Sequence, residues 1–181
     1  MLGLARGTVA LAPHDPEWEA LAAETIRRLW AIFGAAAVDI QHVGSTAVPA
    51  IMAKPILDIA VAVTDVSAIE ALSPALEAAG FLRRGWLNEN SLTFAVGDYT
   101  RPNGIVTHFI HVVGADSEDW RGYLAFRDYL NAHPEAARAY EAQKLRLAAE
   151  CPFDPGREKY LAGKHGFITE TLKAARLDRP L

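Results

Sequence analysis

The sequence predicts one α+β domain spanning residues 1–181, and three observations point to it. Short runs rich in branched and aromatic residues, several with alternating polarity, lie before position 113. Apolar residues at three- and four-residue steps dominate after it. A length of 181 residues suits one hydrophobic core and is too short for two ordinary domains. Residues 1–113 are therefore expected to supply mainly the sheet, with one N-terminal helix, and residues 114–181 the C-terminal helices.

The elements follow in order. After a turn-rich entry at Pro13 to Pro16, Trp18, Leu21, Ala22, Thr25, Ile26, Leu29 and Phe33 mark an amphipathic helix that stops at Gly34. Ala36 to Val43 and Ile56 to Val63 read as strands, separated by a Gly-Ser-Thr turn and a connector closed by Lys54-Pro55. Val66, Ile69, Leu72, Leu76 and Ala79 predict a second helix, with Gly80 as its stop. Phe81-Leu82 opens the next extended piece, and Ser91 to Val96 and Gly104 to Val113 read as an antiparallel pair joined by a turn over residues 97–103. Three helices follow, the second starting at Pro134 and separated from the third by residues 151–156.

Composition narrows the function classes. A formal net charge of -4, from 18 basic and 22 acidic residues, argues against a broad footprint for duplex nucleic acid. The single cysteine, Cys151, cannot form a disulfide within the chain, and no apolar run approaches the roughly 20 residues that span a bilayer. No membrane partner and a cytoplasmic location are expected. An apolar helix face can serve the core or a second copy, so a homo-oligomer is compatible with the pattern.

The chemistry concentrates in a few places. Gly44, Ser45 and Thr46 follow a strand directly, where a glycine lets backbone amides approach an anion and the hydroxyls can point at a phosphate. Asp58 lies between Leu57 and Ile59 in a run that otherwise reads as buried, so its carboxylate needs a partner: a metal, a cationic group, or amides of the preceding loop. His108 and His111 stand three residues apart in one strand, so alternation sends them to opposite faces. One is expected to face Asp58 as ligand, base or hydrogen-bond partner while the other packs against a helix. Tyr140 with Lys144 and Tyr160 with Lys164 each place a tyrosine and a lysine on one helix face. Lys144 is expected to cover its ring at the surface, and Lys164 to emerge at a pocket rim. Trp18, Trp30, Trp86 and Trp120 are expected in the core.

Together, HVGSTAVP at 42–49, KPILDI at 54–59, THFIHVV at 107–113, FRDYLNAHPEAARAY at 126–140 and YLAGKHGFI at 160–168 resemble the GrpB family. The resemblance runs from the Pro13 to Trp18 opening to the last helix. It implies a nucleotidyltransferase-like fold, a mixed sheet with a Gly-Ser turn followed by an Asp-hydrophobic-Asp strand, in a family that also occurs fused to dephospho-coenzyme A kinase. Carried across, it implies transfer of a nucleotidyl or phosphoryl group with Mg or Mn and a nucleoside triphosphate. Asp58, His108 and His111 would form the catalytic set and Asp58 with His111 the metal ligands. Gly44, Ser45, Thr46, Lys54, Tyr160 and Lys164 would hold the small-molecule nucleotide or phosphorylated ligand. The alternative is a catalytically inactive nucleotide- or cofactor-binding module or scaffold, linked to coenzyme A metabolism.

Two departures bear on that choice. Ala60 stands where the superfamily pattern has its second carboxylate, and two-metal phosphoryl chemistry needs several oxygen ligands. A histidine of the 107–113 strand or Glu89 is the expected substitute, and an imidazole would tilt the site toward manganese or zinc. Leu92-Thr93 precedes Phe94 where a basic residue is expected to contact the substrate phosphate.

Overall fold

A computed structural model describes residues 1–98, 100–101, 103–155 and 158–177. Its sheet is built around strand β6 (Ile105–Gly114), which pairs parallel with β3 (Leu57–Val63), and β3 pairs antiparallel with the edge strand β2 (Ala37–Val43). Beyond β6 the sheet continues antiparallel through β5 (Ser91–Gly97) to β4 (Leu82–Asn88), giving the order β2-β3-β6-β5-β4. A two-residue strand that the alternation did not reveal, β1 (Leu4–Ala5), also pairs with β6. The sheet is mixed, and the Ser91 to Val96 and 104–113 strands form the antiparallel pair expected of them. Tyr99, Pro102 and Gly156, inside the predicted turn and helix separator, lie outside the described residues.

Alternation along β3 sets the layers. Leu57, Ile59, Val61 and Val63 face helix α1 (Glu17–Phe33), whose buried side carries Trp18, Ala22, Leu29 and Phe33 at helical spacing. Asp58, Ala60 and Ala62 point the other way. There Ala60 and Ala62 pack with Val43, Val113 and Trp120 under helix α3 (Glu118–Ala132). A β-branched residue in place of either alanine would push that layer away, so small side chains bring α3 close to the sheet. Helices α4 (Pro134–Glu150) and α5 (Glu158–Leu177) complete this side, where Phe126, Leu130 and Tyr140 meet Val48 and Ile51 of the connector between β2 and β3.

The predicted helix over 66–79 is broken in two. A 3-10 segment runs from Ser67 to Leu72, and α2 is the short helix Ser73–Ala78. Pro74 is the physical reason: it has no N–H to continue the ladder of the preceding turn, and it sits in the first turn of α2, where that loss costs nothing. Trp18 and Trp120 are core residues as expected, but Trp30 and Trp86 are 38% and 41% exposed.

Candidate functional site

Val43, the last residue of β2, lies opposite Asp58 on β3, so the turn that follows β2 falls on the aspartate. Gly44 has φ 71° and ψ -167°, a conformation that strains any residue with a Cβ. An added Cβ there would lie 2.7 Å from Asp58 Oδ2. Glycine is required twice over, for its dihedrals and for the contact. Ser45–Ala47 then makes one 3-10 turn.

Asp58 is the one residue of β3 that is not buried. Its side chain is 33% exposed, and Oδ1 accepts a hydrogen bond from His111 Nε2 at 2.9 Å. The carboxylate can only accept, so Nε2 carries the hydrogen. The parallel register places His111 beside Ala60 and Phe109 beside Asp58. With only a methyl group at position 60, the imidazole leans across to the carboxylate; the place of a second acid is taken by a histidine from the next strand. Tyr123 packs on the ring at 5.3 Å between centroids. His111 Nδ1 is buried and has no hydrogen-bond partner among the described residues.

His108 goes to the opposite face, as the odd spacing requires. Its Nε2 lies 3.2 Å from Thr25 Oγ1 of α1 and its Nδ1 2.8 Å from Thr107 Oγ1. Burial pushes its pKa down to about 4. His108 is thus separated from Asp58 and the cavities by the sheet, although the resemblance grouped them. Thr46 is also set apart: it is buried, and its hydroxyl lies 2.9 Å from Nε2 of His42, whose pKa burial likewise lowers to about 4.

The remaining expected residues converge. A cavity of about 620 Å³ opens between the sheet end and helices α3 and α5, and a second of about 450 Å³ lies between α5 and the β4–β5 side. Ser45, Asp58, His111, Leu161 and Lys164 border both. Gly44 borders the larger; Lys54 and Tyr160 border the smaller. The ammonium groups of Lys54 and Lys164 lie 3.8 and 4.6 Å from the centre of the Tyr160 ring, a cation–π pairing that fixes both lysines beside Ser45.

Lys144 is not at the surface. It is 1% exposed, and its Nζ donates to the backbone oxygen of Met52 at 2.5 Å while lying 4.7 Å from the Tyr140 ring centre. Burial, helped by the nearby charge of Lys164, pulls its pKa down to about 7. One turn earlier Glu141 accepts from Met52 N at 2.5 Å, so α4 grips both backbone polar groups of Met52. Arg84, which the sequence reading did not single out, enters the smaller cavity from β4, with its guanidinium 4.9 Å from the Phe109 ring centre. The adjacent Arg83-Arg84 pair was the available signal, since alternation must send one of them to each face; Arg83 pairs with Glu70.

Residues 8–174 match the GrpB protein family. The chain belongs to this family. GrpB relatives include the glutamate-rich protein GrpB of Alkalihalophilus pseudofirmus, 34% identical over 95% of this chain and 98% of that one. The crystal structure of GrpB from Enterococcus faecalis superposes with a TM-score of 0.82 at 28% identity, covering 92% of this chain and 96% of that one. A dephospho-CoA kinase of Mycolicibacterium paratuberculosis is 31% identical over 95% of this chain, which spans only 47% of it. The core is a mixed sheet with the Gly44–Ser45 turn set against Asp58.

The donors do not fit the divalent-metal site that the resemblance implies. Magnesium demands near-octahedral oxygen coordination. Here one carboxylate and one imidazole meet, already joined to each other, and Ala60 contributes no oxygen. Among the described residues no group of three or more His, Cys, Asp or Glu side chains is placed to hold a metal ion. Glu89 is exposed in the turn between β4 and β5 and borders neither cavity.

Proposed function

We propose that this GrpB protein binds a nucleotide, with the phosphates in the smaller cavity and the base against the apolar wall of the larger one. One observation carries the reading: Lys54 from the β2–β3 connector, Arg84 from β4 and Lys164 from α5 converge on the cavity that holds Ser45. Three cations brought together from distant segments, next to a glycine-serine turn, form a surface suited to phosphate oxygens. Phe126, Tyr123, Ile168 and Leu172 give the larger cavity the apolar and aromatic lining that a base requires.

Asp58 holds His111 in one orientation within this site. Transfer of a nucleotidyl or phosphoryl group through two metal ions, the reaction implied by the resemblance, lacks its ligands here, so binding is the function the geometry supports best. Because one relative of this chain is a dephospho-CoA kinase, we would try adenosine phosphates of the coenzyme A type among the first ligands. Calorimetric titration with ATP, the other nucleoside triphosphates and dephospho-CoA tests the proposal. Saturable binding of at least one, weakened about tenfold in Lys164→Ala, is the expected result, in line with loss of one charge-assisted contact. Absence of binding by every one of them would refute it.

A further inference from the structure

We infer that the site holds the phosphates of its nucleotide without a divalent cation, the side chains of Lys54, Arg84 and Lys164 supplying the positive charge instead; this rests on the nucleotide reading above. The strand register supports it. His111 sits beside Ala60, so an imidazole fills the space over the strand where a second carboxylate would stand. Asp58 Oδ1 is taken by His111 Nε2, and Oδ2 lies beside Gly44. A magnesium ion would find one oxygen of one residue and would have to take its other ligands from water and the phosphates alone.

The charge pattern runs the same way. The smaller cavity has three basic side chains, Lys54, Arg84 and Lys164, at its wall and one carboxylate, Asp58. Tyr160 steadies two of the cations by cation–π contact, so they face the cavity as a pair whether or not a metal accompanies the ligand. In a metal-centred site the carboxylate attracts the ligand through the ion. In a site built on lysine and arginine the same carboxylate repels the phosphates, and its role is to orient His111. The sign of the Asp58→Asn effect therefore separates the two arrangements, because asparagine keeps an oxygen that accepts from His111 Nε2 and loses only the charge.

The experiment is a titration of the full chain with ATP and with inorganic triphosphate, in EDTA and again in excess magnesium chloride. The wild type, Asp58→Asn, Lys164→Ala and Arg84→Ala are compared, with thermal melts to confirm folding. Arg84 is exposed, so its variant reports on binding with the fold intact. Expected are wild-type binding in EDTA at least as tight as in magnesium, affinity raised about two- to fivefold by Asp58→Asn, and affinity lowered about tenfold by each cation deletion. Binding that needs magnesium, or that Asp58→Asn abolishes, overturns the inference and leaves the nucleotide reading standing. Absence of binding in both buffers by ATP and by every other nucleotide tried for the nucleotide reading overturns that reading itself.

Discussion

Asp58 and His111 lie on neighbouring parallel strands two register positions apart, yet Oδ1 and Nε2 are 2.9 Å from each other because residue 60 between them is alanine. The pair is half enclosed, the two side chains being 33% and 18% exposed. A hydrogen bond to a charged group in such surroundings contributes about 1.5–3 kcal/mol. A double-mutant cycle with Asp58→Ala and His111→Ala, each of which removes the contact, measures the coupling. A value above about 0.5 kcal/mol in thermal or urea unfolding is expected, and strict additivity would show that the contact is not maintained in solution.

Gly44→Ala should damage fold and site together. Its Cβ would meet Asp58 Oδ2 at 2.7 Å and Asp58 Cβ at 3.1 Å, and φ 71° is unfavourable for alanine. Strained dihedrals of this kind cost about 1–3 kcal/mol before the clash is counted. The expected outcome is a lower melting temperature together with loss of ATP binding. Gly34→Ala is the control for dihedral strain alone: its φ is 50°, and an added Cβ would meet nothing within 4 Å.

Much of this arrangement was legible in the sequence because it depends on parity. Asp58 amid apolar neighbours and two histidines an odd number apart fix which side chains can share a face, once β3 and β6 are strands of one sheet. Which histidine meets Asp58 depends on sheet order, and a sequence does not print that β6 lies next to β3. Lys144 was misplaced for a related reason. A Tyr-x-x-x-Lys pair looks the same on a solvent-facing helix and on one whose lysine reaches a backbone oxygen 92 residues away. The partner of Arg84 was hidden because β4 joins the site through β5 and β6.

Acid should weaken the fold through the α1 face of the sheet. His42 and His108 have native pKa values near 4, against 6.5 when unfolded. Between those limits the unfolded chain binds more protons than the native one, so the contribution of these histidines to stability is complete above about pH 6.5 and declines as pH falls toward 4. His108→Gln, which can still bond Thr25, should flatten this decline relative to the wild type. Urea midpoints measured from pH 4 to 7 check it, and parallel curves for the two proteins would show that His108 is not the group responsible.

Lys144 predicts a dependence at the alkaline end with the opposite origin. Its native pKa is lowered from 10.5 to about 7, so below pH 7 both states carry the proton and the folded protein bears the full cost of the buried charge. From about pH 7 to 10.5 the unfolded chain keeps a proton that the native chain has released, and stability rises with pH. Lys144→Met removes that rise. It also deletes the bond to Met52 O, a loss of about 1–3 kcal/mol, and loosens the connector that carries Lys54 to the smaller cavity. Wild type and variant should thus diverge steadily between pH 7 and 10.5 in chemical unfolding, with the wild type gaining. The variant should also bind ATP more weakly although residue 144 borders neither cavity. Curves that stay parallel through this range would mean the ammonium is solvated, and unchanged ATP affinity would mean the grip of α4 on Met52 does not position Lys54.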